Sequence, residues 1–155
     1  MWLFCVCGIE MGRECVEEQM KKELVAAAFA ARAQSYAPYS DFCVGAAVLT
    51  ESGHIYQGCN VENASYGATV CAERTAALQA VFHGDRVFTA IAIVGGERNA
   101  ETLGYAYPCG ICRQFLREFA APHMKVYVAA SLDEIVETTL EELLPHAFGP
   151  QSLQG

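Results

Sequence analysis

The sequence predicts an α/β sandwich built on a mixed sheet, and three observations predict it. A β-hairpin pattern in the first third of the chain is followed by helix, strand, helix and strand in alternation. The hairpin requires an antiparallel pair, whereas the later alternation requires crossover connections. No internal repeat, low-complexity tract or linker interrupts the 155 residues, a length that suits one domain with a substantial core.

Residues 15–35 place Val25, Ala28, Phe29 and Arg32 at helical spacings, with acids early in the segment, and predict an amphipathic helix. Tyr36-Ala37-Pro38-Tyr39-Ser40-Asp41 ends it, because proline has no amide donor and restricts the residue before it. Phe42–Thr50, β-branched and small-apolar, predicts a strand. Glu51-Ser52-Gly53-His54 is a turn, and Ile55–Cys59 is the returning strand. Residues 60–69 are polar, contain Gly67 and read as a loop. Residues 70–82 predict a helix through Ala72, Ala76, Ala77 and Ala80, ended by His83-Gly84. Residues 88–94 predict a buried strand closed by Gly95-Gly96, and 98–108 are irregular. Residues 109–119 predict a further helix with Pro108 near its start, where a missing N–H costs little. Residues 125–130 predict a strand, Ser131-Leu132-Asp133-Glu134 a cap or turn, and 139–144 a short helix stopped by Pro145.

Composition narrows the function. Hydrophobic residues make up 53% and charged residues 18%, so the chain folds rather than stays disordered. The net charge of -8 repels phosphate backbones and no Lys/Arg-rich run offsets it, which argues against nucleic acid and for a small, weakly charged ligand. Eight cysteines without the spacing of a small secreted scaffold point to the cytoplasm, where thiols stay reduced and free to bind metal. Residues 2–9 are apolar but far too short to span a membrane and lack a basic flank. Residues 1–19 are therefore expected to be an N-terminal extension, disordered in part or upstream of a natural start at Met11. Residues 20–155 form the single domain.

Cys71-Ala72-Glu73 and Pro108-Cys109-Gly110-Ile111-Cys112 carry the chemistry. Cys109 and Cys112, three apart at a helix start, put both sulfurs on one side of its first turn. Cys71 opens a different helix. Helix N-termini favour the thiolate that zinc requires. Three ligands leave a fourth position for water, and Glu73 is placed to move that water's protons. Arg74 is a candidate to draw charge from the sulfurs by hydrogen bonding. Two other readings stay open on spacing alone. A fourth ligand from His54, Cys59, His83 or Cys43 would make a structural site, and Cys109 with Cys112 could form a redox pair.

Zinc nucleobase deaminases combine a non-ligand Glu with a Pro-Cys-x-x-Cys arm, and this chain fits their three-Cys form. Asn60-Val61-Glu62-Asn63-Ala64-Ser65-Tyr66 and Cys71-Ala72-Glu73-Arg74-Thr75-Ala76 resemble the cytidine deaminase family. So do Phe42-Cys43-Val44-Gly45-Ala46-Ala47, Pro108-Cys109-Gly110-Ile111-Cys112-Arg113-Gln114 and Phe148-Gly149-Pro150. The resemblance runs from about Met20 to the C-terminus.

It implies a three-layer α/β/α sandwich with a five-stranded mixed sheet, one Zn2+ per subunit and a homotetramer of the small-subunit type. The implied activity is hydrolytic deamination of cytidine and deoxycytidine in pyrimidine salvage. Zinc-activated water would attack C4 of cytosine, and Glu73 would shuttle protons to N3 and the departing ammonia. Asn60 and Glu62 would bind the ribose hydroxyls, and Phe42 would stack on the pyrimidine. Ala64, Tyr66 and Ala72 would join the substrate site, and Phe148 would cover the base from a neighbouring subunit. Gly67 and Thr69-Val70 depart from the family pattern without touching the chemistry. Cys5, Cys7, Cys15, Cys43 and Cys59 have no role in it, and Cys43 should face away from Phe42 across the sheet.

Overall fold

The computed structural model describes residues 4–154. The elements run α1 (Phe4–Arg32), β1 (Phe42–Thr50), β2 (Ile55–Cys59), α2 (Ala72–Phe82), β3 (Phe88–Glu97), α3 (Gly110–Arg117), β4 (Ala120–Ala129), β5 (Ile135–Thr139) and α4 (Leu140–Leu143). The five strands lie in the order β2-β1-β3-β4-β5. β1 pairs antiparallel with β2 and β3, β3 runs parallel to β4, and β4 pairs antiparallel with β5. The mixed sheet expected from the sequence is present.

Alternation along the strands divides the core into two halves. Ala46, Val48, Ile91, Ile93, Val126 and Val128 pack against Ala72, Ala76, Ala77 and Ala80 of α2, Leu116 of α3 and Leu140 of α4. On the other face, Ala47, Ala90, Ala92, Val94, Tyr127 and Ala129 pack against Leu24, Val25 and Ala28 of α1. One helix covers one face and three cover the other, which makes the three layers. Among the described residues no helix is long and apolar enough to cross a membrane.

Small residues set how deeply α2 sits. A Cβ at Gly58 on β2 would stand 2.2 Å from the Ala76 amide nitrogen and 2.6 Å from the Ala72 carbonyl oxygen. Only glycine permits that approach, and it presses the first turn of α2, with Cys71 at its end, onto the sheet.

Several elements differ from expectation. α1 begins at Phe4 rather than near residue 15, so residues 4–19 continue its helix; residues 1–3 of the expected extension lie outside the described residues. β3 does not close at Gly95-Gly96 but runs through both to Glu97, pairing with Val44 and Cys43 of β1. The glycines serve close packing instead of a turn, since a Cβ at Gly95 would meet Ala106 at 2.6 Å and one at Gly96 would meet Leu103 at 2.7 Å. β4 starts five residues early, at Ala120. β5 had no sequence assignment of its own: as an edge strand none of its residues is fully buried, so its pattern is weak. The turn read at 131–134 is present, with Ser131 Oγ accepting from the Asp133 and Glu134 amides at 3.2 and 3.0 Å.

The β1–β2 hairpin is pinned to the loop after α2 by one carboxylate oxygen. Asp85 Oδ2 lies 2.9 Å from His54 Nδ1, and accepts from Tyr56 at 2.8 Å, Ser52 at 2.9 Å and Thr50 at 3.3 Å. These bonds, His54 first, hold the Asp85 carboxyl down at about 2, against an ordinary 3.8. A depressed carboxyl adds stability above its unfolded-state value and loses it as pH falls through the folded one. Asp85→Asn should therefore lower the thermal unfolding midpoint at neutral pH, and the gap to the wild type should close as pH falls from 3.8 to about 2. A midpoint difference independent of pH over that window would contradict it.

Candidate active site

Two helix N-termini converge on three sulfurs. Cys71 is the N-cap of α2, with extended backbone at φ -72 and ψ 155. Cys109 is the N-cap of α3 at φ -68 and ψ 166, and Cys112 follows within its first turn. At such positions a sulfur meets unpaired amide groups and the positive end of the helix dipole. Arg113 fixes the approach to α3: its Nε donates to the Pro108 carbonyl and its Nη1 to the Leu143 carbonyl, both at 2.7 Å.

The three sulfur atoms lie within 4.8 Å of one another, and Cys71 and Cys109 are 3.9 Å apart. Cys112 is buried, Cys71 half-buried and Cys109 exposed. A hydrogen bond from Cys112, reinforced by Arg74, brings the Cys71 thiol down to about 5. The Cys112 thiol is driven up by that same contact and by burial. One proton is thus retained because adjacent sulfur anions repel, and a divalent cation removes the conflict. The donor set fits one zinc ion with a fourth position left over.

Arg74 lies against this cluster. Its Nη2 donates to the Thr69 carbonyl at 3.1 Å and reaches Cys71 Sγ at 3.9 Å, while its Nε is buried without a partner. Glu73, 4% exposed, lies in the first turn of α2. Burial pushes its carboxyl up to about 7, and the Cys71 charge adds to that. The fourth-ligand alternative left open by spacing does not assemble. Among the described residues the sole metal-capable group of three or more is Cys71, Cys109 and Cys112. His54 faces Asp85, His83 Nδ1 lies 2.8 Å from the Gln79 carbonyl, and the Cys43 and Cys59 sulfurs contact backbone carbonyls.

The loop after β2 brings the expected recognition residues to one wall. Tyr36 and Val70 bridge to Val61 from either side, so Asn60 and Glu62 share the other face of the extended segment. Asn60 Oδ1 accepts from the Val44 amide at 2.9 Å and its Nδ2 donates to the Phe42 carbonyl at 2.8 Å. Phe42 is 42% exposed and Cys43 is buried, so the two face opposite ways as expected. Glu62 Oε2 accepts from the Tyr39 and Ser40 amides at 2.8 and 3.2 Å. Tyr39, Ser40, Glu62, Tyr66 and Thr69 line a cleft of about 370 Å³, in which the Tyr39 and Tyr66 rings lie 5.8 Å apart. Thr69 joins this cleft to the metal cluster through Arg74.

Other expected residues are placed less directly. Ala64 is exposed in the loop. The Ala72 methyl is fully buried in the core, which leaves only its backbone for a substrate. Phe148 is 59% exposed on the C-terminal tail, held to α3 by Gln114 Nε2 at 3.0 Å from its carbonyl. Arg117 completes that clamp, donating to the Ala120 carbonyl at 2.9 Å and to Gln151 Oε1 at 2.8 Å. Sequence reasoning missed Ser40, Thr69 and Arg117. Ser40 sat in a segment read only as a helix stop, and the other two carried no spacing signal.

Fold and site together define a three-thiolate metal hydrolase with a buried carboxylate beside the metal position. Comparison with known proteins gives the family. A family model described as the cytidine and deoxycytidylate deaminase zinc-binding region matches residues 18–129. Cytidine deaminase from Sporosarcina psychrophila is 48% identical over 132 residues, covering 85% of this chain and 93% of that protein. Cytidine deaminase from Halalkalibacterium halodurans is 44% identical over 133 residues, covering 86% and 97%. The crystal structure of cytidine deaminase from Burkholderia pseudomallei superposes with a TM-score of 0.73 at 46% identity, covering 81% of this chain and 97% of that one. The chain belongs to the cytidine deaminase family, and its cofactor is zinc.

Partners outside the ligand shell typically change metal affinity by about 10–100-fold. Arg74→Ala should therefore lose zinc to a competing chelator at least several-fold faster, with the helical circular dichroism retained. Equal rates of loss would make Arg74 a bystander.

Proposed function

We propose that the protein hydrolyses cytidine and deoxycytidine to uridine and deoxyuridine with release of ammonia, as a cytoplasmic homotetramer in pyrimidine salvage. Residues 20–155 form its catalytic domain. The observation that carries the reading is Glu73: a carboxylate 4% exposed, in the same helical turn as one of three clustered sulfurs. A mere structural clip has no use for a buried acid beside it.

Cys71, Cys109 and Cys112 hold the zinc ion, which when bound supplies an acidified water. Glu73 accepts a proton from the attacking water, delivers it to N3 of the pyrimidine, and passes the second to the departing amine. A carboxyl held near neutrality by burial suits a group that must both take and give protons. Arg74 offsets the surplus negative charge of three thiolates. Phe42 stacks on the base, and Ala64, Tyr66 and the Ala72 backbone complete the pocket around it.

Asn60 and Glu62 read the sugar. Each has spent part of its hydrogen-bonding capacity within the protein, leaving one Asn60 amide hydrogen and a second lone pair on Glu62 Oε1, which already accepts from the Ser40 hydroxyl, for a sugar hydroxyl. A carboxylate in the cleft disfavours a phosphate there, which supports nucleosides over nucleotides and, with the net charge of -8, over nucleic acid. Exposed Phe148 supports assembly, because an aromatic on a tail clamped outward finds cover on a neighbouring subunit.

Purified protein should release ammonia from cytidine and form uridine, and lose this activity to a chelator. Glu73→Gln should lower kcat by roughly 10²–10⁴-fold with unchanged zinc content; a wild-type rate in that variant would remove the proton shuttle. Phe148→Ala should raise KM for cytidine roughly threefold to tenfold, and an unchanged KM would take it out of the site.

A further inference from the structure

The turn ahead of β1 does more than stop a helix. The Asp41 amide donates to the Ala37 carbonyl at 3.2 Å, and Asp41 adopts a φ of 57°, a left-handed conformation that aspartate tolerates. Arg98 locks the reversal, with its Nε 2.9 Å from Asp41 Oδ1 and its amide 2.9 Å from the Asp41 carbonyl. The reversal brings Ser40 back against the cleft wall. Its Oγ donates its single hydrogen to Glu62 Oε1 and accepts from the Phe42 amide at 3.1 Å. One hydroxyl therefore couples the backbone of the base-stacking position to the carboxylate of the sugar-reading position.

We propose that Ser40 is a positioning residue that fixes the Glu62 carboxylate as an acceptor for a sugar hydroxyl, and thereby sets the preference for nucleosides whose sugar hydroxyls are free. This rests on the reading of the cleft as a nucleoside site. The geometry carries it in two ways. Three donors from residues 39–40 occupy Glu62, so the carboxylate cannot rotate without losing at least one of them. The hydroxyl's bond and the Tyr39 amide also hold the Glu62 carboxyl below the ordinary carboxylate range, which keeps it acceptor-only. A sugar hydroxyl can then donate to the remaining Oε1 lone pair, whereas a sugar without hydroxyls has nothing to offer. Because Ser40 acts through Glu62, its loss weakens binding of the sugar and leaves proton transfer at Glu73 untouched.

The test uses the zinc-loaded full chain with cytidine and with 2′,3′-dideoxycytidine, which lacks both ring hydroxyls of the sugar. Ser40→Ala should raise KM for cytidine about tenfold, the usual worth of a hydrogen bond to a charged group, with kcat little changed. For 2′,3′-dideoxycytidine its KM should equal that of the wild type. Ser40→Thr, which keeps the hydroxyl, should restore the cytidine KM. Combining Ser40→Ala with Glu62→Gln should add little beyond Glu62→Gln alone. Zinc content and thermal midpoint report whether each variant folds, and Ser40→Cys, with a weaker donor of similar size, carries the same expectation if Ser40→Ala does not. An unchanged cytidine KM, an equal loss on both substrates, or additive effects in the double variant would overturn the assignment. A wild-type protein inert towards cytidine would sink the nucleoside reading and this assignment with it. A cytidine-active wild type whose Glu62→Gln variant keeps its KM would sink the assignment and spare the deaminase reading.

Discussion

Holding three sulfur atoms within 4.8 Å of one another is the constraint on which the rest of this structure depends. Adjacent thiolates repel, so their approach needs positive charge from the fold as well as from a cation. The fold supplies it by aiming two helix N-termini at one point. That aim is a packing result. The alanine ladder of α2 and the bare backbone at Gly58 let that helix lie close on the sheet. Leu116 seats α3 in the same core, and Arg113 ties its start to the Leu143 carbonyl at the end of α4. A helix held farther from the sheet by larger side chains would carry its sulfur out of reach of the others.

Two glutamates eleven positions apart show how environment divides one functional group into two roles. Glu73 is buried, and burial pushes its proton affinity up to about 7. Glu62 lies in a cleft and accepts bonds from Tyr39 and Ser40, which press its affinity down. The first suits proton transfer near neutrality, the second a fixed anion that only accepts hydrogen bonds. The contrast comes from the number of donors and the amount of water each carboxylate meets.

The proposed recognition residues are fixed by the protein itself. Asn60 and Glu62 are held by bonds to the backbone of residues 39–44, and the segment between them is bridged on both sides by Tyr36 and Val70. Side chains already fixed lose less entropy on binding, so fewer contacts suffice for affinity. The C-terminal tail is arranged by the same means, with Gln114 and Arg117 of α3 presenting Phe148 outward. One short helix thus carries two of the three clustered sulfurs at its start and steers an aromatic from its later turns.

The sequence by itself determined the hairpin, whose strands Phe42–Thr50 and Ile55–Cys59 match residue for residue, and the helix–strand alternation after it. It also singled out the three cysteines and Glu73, because metal chemistry demands particular residue types at particular spacings. These are local properties, set by period, turn residues and ligand type. Residues alone did not reveal β5, whose edge position weakens its apolar pattern, or the passage of β3 through Gly95-Gly96, where glycine answers to Ala106 and Leu103 rather than to a turn. Nor could they give Ser40 a partner, since its hydroxyl meets a carboxylate 22 positions away. Only the tertiary structure decided these, because contacts between distant segments depend on how the layers pack, and no period along the chain records that.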